Sequence, residues 1–254
     1  GMKKFSSELG HNYNTYTFGY ANYCRRQKGD KLSDIYNLGY LPYSGSRDVK
    51  DTFYMARSAR VPLDSFALSS ENRRVAKKFD DHFERSSAPI DKFDARDKTF
   101  ISFCAEYFAK RHGPEVMPLE RLRTILNSGL ISQIVSYRDK DKLVAHVFEV
   151  TDGKMTHFWF SFYDLALAHQ SLGMWLMLDS ARQARTRGAK HFYIGTVYGQ
   201  KALYKTAFKN IEYWDGNEWV ADIKKIKQLG RKDNDRTTGL TDFWKKEQGL
   251  FSDL

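Results

Sequence analysis

The sequence predicts an α+β protein, built on a mixed α/β sheet with helices packed against it. Three observations predict it. Segments 131–137, 143–149 and 156–162 alternate apolar and polar residues, and Arg138-Asp139-Lys140-Asp141 and Thr151-Asp152-Gly153-Lys154 read as hairpin turns between them. Gly173 to Arg187 then has an apolar side made by Trp175, Leu176, Leu178 and Ala181, and Gly188 stops that helix. His191-Phe192-Tyr193-Ile194-Gly195 is a short buried strand, followed by a helix over 200–208 and a terminal hairpin. Strand, strand, strand, helix, strand, helix, strand is an order that a mixed sheet with flanking helices satisfies.

The remaining elements are placed from the amino terminus onward. Tyr13, Tyr16, Phe18, Tyr20 and Tyr23 stand at mostly even spacing, as in a strand or an extended aromatic segment. Gly39 to Gly45 is a turn-rich loop, and residues 52–57 and 58–63 are short strands, with Pro62 at an edge or an end. Ser69 or Ser70 caps a basic helix running to Phe79, with Glu71 in its favourable first turn. Pro89 marks a break. Lys98 to Arg111 is a helix whose Phe100, Phe103, Cys104, Tyr107 and Phe108 share a face, so Cys104 is packing rather than a nucleophile. Leu119 to Asn127 is a short helix, and the residues beyond about Gly230 are polar, charged and loosely packed.

Composition narrows the function classes. The chain has 254 residues, 41% apolar and 15% aromatic, which is enough to fold around a sizeable core. Its 41 basic and 31 acidic residues leave +10, a balance that favours a phosphate-bearing partner. Two cysteines, Cys24 and Cys104, exclude a disulfide scaffold. No run of eighteen apolar residues spans a membrane, and no apolar leader opens the chain, so a cytoplasmic location and no membrane partner are expected. His146 and His157 lie on adjoining strands with no third ligand in register, so no metal site is expected.

Several residues have the chemistry of a transfer site. At Ser171-Leu172-Gly173 a glycine lets backbone approach a ligand, and the first amides of a helix can face a phosphate or a developing oxyanion. Purely structural use, with Ser171 as the cap and Gly173 as a close-packing point, is the alternative. Tyr163 and Asp164 end a strand, where Asp164 can orient an amine or take its proton, or can simply hold a turn. Lys201 and Lys205, four apart on a helix, share a face that suits an anion, with Tyr204 beside them; a solvated basic surface is the plainer reading. Arg73, Arg74, Lys77 and Lys78 form one stripe suited to backbone phosphates, and Tyr40 and Tyr43 could stack on an unpaired base. Arg60 has the fork to grip a carboxylate.

These motifs together resemble the aminoacyl-tRNA:protein transferases, the arginyl-transferase family and its bacterial leucyl-transferring branch. The resemblance rests on the Ser-Leu-Gly helix, the Tyr-Ile-Gly strand, Lys201-x-x-Tyr204-Lys205, the Asp215-Gly216 hairpin, Tyr40-Leu41-Pro42 and Arg60-Val61-Pro62, and runs from about 35 to 225. It implies a GNAT-like acyltransferase fold over 91–230, a smaller amino-terminal α+β domain over 1–90 and a charged extension over 231–254. It also implies transfer of an amino acid from a charged tRNA to the amino terminus of an acceptor protein bearing a degradation signal, with no cofactor. Tyr163, Asp164, Ser171 and Tyr204 would be catalytic; Leu172, Gly173, Tyr193, Lys201 and Lys205 would border the ester; Arg57 or Arg60 would read an acidic first residue. Two departures stand out. The cysteines that the family carries in its first half are replaced here by residues such as Gly39, Tyr43, Met55 and Ser58, which removes any metal or redox role there. Thr196 replaces an aromatic residue, and the loop to Lys201 is shorter. An N-acyltransferase using acetyl-CoA on a small amine is the alternative, although Ala168 to Gly173 offers only one glycine for a pyrophosphate. A non-catalytic tRNA- or protein-binding module is a third reading.

Overall fold

A computed structural model of the chain describes residues 1–12, 17–45, 49–113 and 118–234. A four-stranded antiparallel sheet comes first. It contains β1 (Lys3–Asn12), β2 (Thr17–Arg25), β3 (Tyr40–Pro42) and β4 (Thr52–Met55), in the order β1-β2-β4-β3. Helix α1 (Leu32–Asn37) crosses between β2 and β3. The chain then leaves this sheet within two residues, and β5 (Ser58–Pro62) belongs to the second, eight-stranded one. Helix α2 (Ser70–Phe79), β6 (Glu84–Pro89), α3 (Lys98–His112) and α4 (Pro118–Leu126) follow, then the meander β7 (Gln133–Asp139), β8 (Lys142–Thr151) and β9 (Met155–Tyr163). Helix α5 (Leu172–Thr186) returns the chain to β10 (His191–Thr196), before β11 (Glu212–Trp214), β12 (Trp219–Val220) and a helix α6 over 223–234. The large sheet runs β12-β11-β5-β10-β9-β8-β7-β6. It is antiparallel throughout except at β9 and β10, which a helix joins and which therefore run in parallel.

The sheet is covered on both faces, and the strand residues alternate between two cores. Val135, Tyr137, Phe158, Phe192 and Ile194 face α2 and α5. Ile134, Phe148, Phe160, Phe162 and Tyr193 face α1, α3 and α4. The result is a mixed α/β, GNAT-like fold with an added α+β subdomain. Helix α5 is the central element, and its residues from Met174 to Ala181 are all buried. It is pinned to α2 by Asp80, which accepts from the Trp175 indole at 2.9 Å and pairs with Arg182 at 2.7 Å. Ser69 caps α2 and forms a reciprocal capping box with Asn72.

Several local expectations change. The turn-rich stretch after Gly39 contains β3, whose Tyr40 pairs with Met55 of β4. Strands β1 and β6 and helix α1 appear where alternation is weak, and β6 is a mostly exposed edge. The chain beyond Gly230 is helical to 234, and Gly230 packs on Leu203 and the Gly199 carbonyl rather than hanging free. Of the aromatic run, Tyr13 and Tyr16 lie outside the described residues, as does the stretch 235–254 of the extension, while Phe18, Tyr20 and Tyr23 fall on β2.

Gly39, just before β3 of the small sheet, packs against Trp214 of the large one. Its φ is +81°, and a methyl group on it would overlap the Trp214 ring of β11. Gly39→Ala is expected to destabilise the protein by about 2–4 kcal/mol in urea unfolding, from left-handed backbone strain plus overpacking. Gly29→Ala has a similar φ of +93° but open space around it, so about 1–2 kcal/mol is expected there.

Candidate functional site

The parallel pair β9 and β10 stays together for only three rungs, from His191–Met155 to Tyr193–His157. A bulge on each strand explains the parting. In β9, the register against β8 shifts between Phe148–Phe160 and Glu149–Phe158, so Trp159 is the extra residue. In β10, Tyr193 faces Arg60 and Thr196 faces Ser58, three positions against two, with Gly195 at φ +82°. A bulge bends its strand and puts one residue out of the ladder. The two strands therefore open a wedge toward their carboxyl ends, where ligands of such sheets bind.

Lys205 fills that wedge. It is buried, and its ammonium donates to the Thr196 carbonyl at 2.6 Å. Burial draws its pKa down to about 8. Next to it, the His157 ring pairs through Nδ1 with the Tyr36 hydroxyl at 2.7 Å. Burial, and secondarily the Lys205 charge, lowers His157 to about 3, so the ring is neutral at ordinary pH. Lys201 and Lys205 do not share a face. The segment Gln200–Ala207 is a 3-10 helix, with three residues per turn, so positions four apart diverge; Lys201 points to solvent and Lys205 inward.

At the end of β9 the Tyr163 hydroxyl accepts from Arg111 of α3 at 2.8 Å. The same hydroxyl lies against Gly173, where a Cβ would sit 2.9 Å away. Gly173 is thus a close-packing point under Tyr163. Arg111 also lies 3.3 Å from the Tyr107 hydroxyl, and Tyr204, half exposed, is within electrostatic reach of Tyr163 and Arg111. Arg111 is the functional candidate that helix periodicity hides, because it reads as an ordinary solvent-facing residue in the last turn of α3.

Other residues are committed elsewhere. Ser171 does not cap α5: it takes a left-handed φ of 68°, and its hydroxyl faces Arg74 at 3.3 Å. Asp164 caps the 3-10 turn Leu165–Gln170 and pairs with Lys142 at 3.0 Å. Lys142 holds its carboxyl below the usual range, which makes it a poor proton acceptor. Leu172 and Tyr193 are core side chains, so their contribution to a ligand is restricted to backbone and shape. Tyr40 is buried and offers no face to a base, while Tyr43 is half-buried, edge-on to Tyr23. The α2 stripe of Arg73, Arg74, Lys77 and Lys78 is exposed, and Arg74 also pairs with Glu71 at 2.7 Å. Arg60 is a hub, bonded to Glu212 at 2.7 Å, Asn37 at 2.8 Å and Tyr193 at 3.3 Å, with its guanidinium 4.1 Å over the Trp219 ring. Arg57 sits nearer the surface, paired with Asp233 at 2.6 Å. Both cysteines are free and buried, and burial raises both thiols, Cys24 to about 12. Among the described residues no group of three or more His, Cys, Asp or Glu could hold a metal, and no helix is long and apolar enough to cross a membrane.

A mixed sheet that parts at its one parallel pair, with a helix returning beneath it, defines a GNAT-like acyltransferase fold. The chain belongs to the acetyltransferase (GNAT) domain family, whose profile matches residues 70–209, just over half of its length. It is related to bacterial aspartate/glutamate leucyltransferases. That of Phenylobacterium zucineum is 26% identical over 178 residues, 64% of this chain and 66% of the relative, so the match spans just under two thirds of that protein. That of Paracoccus denitrificans is 27% identical over 215 residues, 75% of each. Among solved structures, L-PGS from Bacillus licheniformis is similar over 65% of this chain and 51% of its own, with 12% identity and a TM-score of 0.40.

Lys205 generates a measurable linkage. Its pKa is near 8 folded and about 10.4 unfolded, so between those values the unfolded chain holds more protons and stability rises with pH. Urea unfolding at pH 7.5 and 9.5 should show the native protein gaining about 1–3 kcal/mol relative to Lys205→Met over that interval. A constant difference between the two proteins would place the Lys205 amine in water.

Proposed function

We propose that the chain transfers an amino acid from an aminoacyl-tRNA to the amino terminus of an acceptor protein. The observation that carries this reading is the buried Lys205 amine in the wedge between β9 and β10, beside Thr196 and His157. Near pH 8 a substantial fraction of it is neutral, which suits a proton acceptor. The acceptor amine attacks the ester carbonyl carbon, a C–N bond forms, and the bond to the tRNA 3′ oxygen breaks. Lys205 takes the proton released by the amine and passes it to the leaving 3′ oxygen, which returns Lys205 to its neutral form. The ester is already activated, so holding the two reactants in line supplies much of the acceleration. Tyr163, Tyr204 and Arg111 border the side from which the tRNA end enters. Arg73, Arg74, Lys77 and Lys78 continue that basic rim along α2, with Arg74 reaching Ser171. Such groups suit phosphates without reading bases. The kinship with aspartate/glutamate leucyltransferases supports the same reading.

Acetyl-CoA as donor is the second reading, favoured by the family match alone. Against it stands Tyr163, whose hydroxyl roofs Gly173 at the start of α5, where a pyrophosphate would need open backbone. Purified charged tRNAs and peptides beginning with Asp, Glu, Arg or Lys separate the readings. Label should pass to a peptide only from tRNA. Arg111→Gln should raise the KM for charged tRNA about tenfold and flatten its salt dependence by about one unit of log–log slope. Transfer from acetyl-CoA instead would overturn the proposal. Binding of charged tRNA with no transfer would favour a non-catalytic module.

A further inference from the structure

We infer that Asp233 and Asn234, at the end of α6, cap the 3-10 turn Gln200–Ala207 from across the fold and so hold the Lys205 amine in the wedge. Asp233 is then a positioning residue for that amine. What the amine does there rests on the amino-acid transfer reading; the capping geometry does not. The first amides of a helical turn have no partner within it. A Ser, Thr, Asp or Asn just ahead of the first residue commonly takes them. That place here is Gly199, at φ +71°, which has no side chain to offer. Two consecutive residues of α6 supply what is missing. Asp233 accepts from the Gly199 N–H at 2.9 Å, and the Asn234 side-chain oxygen accepts from the Gln200 N–H at 3.3 Å. Asp233 also meets the Arg57 fork, at 2.6 and 3.3 Å. Arg57 in turn grips the stretch that leads into the turn. Its carbonyl accepts from Val197 at 2.9 Å, its guanidinium donates to the Val197 carbonyl at 3.3 Å, and its own N–H donates to the Tyr198 hydroxyl at 2.8 Å.

Helix α6 is anchored so as to deliver those two side chains. Asp222 starts it, accepting from the Lys225 N–H at 3.0 Å, and Ile226 is fully buried beneath it. Ile223 and Leu229 pack on the same core. At Gly230 the helix touches the turn itself: a Cβ there would stand 2.9 Å from the Leu203 side chain and 3.1 Å from the Gly199 carbonyl. About one helical turn further on come Asp233 and Asn234. The Thr196 carbonyl thus fixes the tip of Lys205, and α6 fixes the start of the turn that carries its stem. Residues 223–234 lie beyond the 70–209 that the family profile matches, so a segment outside that domain completes the seat of its buried lysine. Asp233 could instead matter only as the partner of Arg57, and the two roles are separable. The side chains of that pair keep 19% and 24% exposure, and an ion pair that wet contributes little. A cap needs an oxygen and not a charge.

The test is trace acetylation of the whole folded chain with limiting acetic anhydride at fixed pH, read by mass spectrometry at each lysine, with transfer from charged tRNA read separately. A buried amine reacts only when its turn opens, so the Lys205 rate reports the opening equilibrium, and exposed Lys201 on the same turn is the reference. Lys205 in the native protein should label at least about tenfold more slowly than Lys201. Asp233→Ala should raise the Lys205 rate about fivefold relative to Lys201, the loss of one cap. Asp233→Asn keeps an oxygen for the Gly199 amide but gives up the charge that Arg57 pairs with, so it should label as the native protein does. Asn234→Ala should raise the Lys205 rate about twofold, and it decides the question if Asp233→Ala does not fold. A Lys205 rate unmoved in the folded alanine variants overturns the cap. A rise in Asp233→Asn equal to that in Asp233→Ala overturns it in favour of the Arg57 ion pair. Labelling that follows the cap, in a protein that transfers nothing from any charged tRNA, upholds the cap and sinks the transfer reading. Transfer with labelling indifferent to the α6 variants does the reverse.

Discussion

The site depends on where β10 stops pairing with β9. For three rungs the two strands share a parallel ladder, and beyond Tyr193 β10 keeps only its antiparallel partner on the other edge, β5, which it rejoins at Thr196 past the bulge at Gly195. Two backbones that part leave carbonyls and amides without ladder partners, and such groups must be satisfied or solvated. Thr196 is satisfied by Lys205, an ammonium brought in from the following segment. The wedge is therefore both an opening and a debt of hydrogen bonds, and its polar lining follows from its backbone geometry. A continuous parallel pair would have closed this space with apolar side chains.

Buried charge elsewhere is arranged so that the opening does not collapse. Arg60 draws together β5, α1 and β11 through Glu212 and Asn37, while Trp219 donates to the Asn37 carbonyl at 2.8 Å and covers the guanidinium. On the opposite face of the sheet Asp179 accepts from Tyr137 at 2.6 Å and lies 3.4 Å from Arg85, joining α5 to β6 and β7. Glu149, fully buried on β8, pairs with Ser180 of α5 and with Gln133 of β7. Each buried ion here has several partners, which is the condition under which burying it is tolerable. Breaking one member strands the others, so these networks hold α5 and the small sheet in register with the strands that form the wedge.

Much of this was legible in the sequence, and the rest was hidden for identifiable reasons. The meander β7 to β9, helix α5 and strand β10 were legible as apolar-rich runs bounded by turn residues, because both faces of the sheet are covered and most of their side chains are buried. Strand β6 escaped because it is a mostly exposed edge, and Ser86, Ser87 and Ala88 give no alternation to read. The bulges escaped because register is a property of two strands and no single string displays it. Lys201 and Lys205 illustrate a different failure. Four-residue spacing means a common face only on an α-helix, and nothing in Gln200 to Ala207 signals the tighter 3-10 winding. Arg111 and Asp233 look like ordinary surface charges until tertiary packing brings each to the edge of the site.

That tighter winding has a consequence for how the chain can change. Nine positions separate Thr196 from Lys205, and each residue in a 3-10 turn advances the side chains by about 120°. Substitutions on the outward side of that turn leave the direction of the Lys205 amine untouched. A single insertion or deletion between the two would swing it out of the wedge and leave the Thr196 carbonyl bare. Within this chain the length of this short segment is therefore constrained more strictly than its composition.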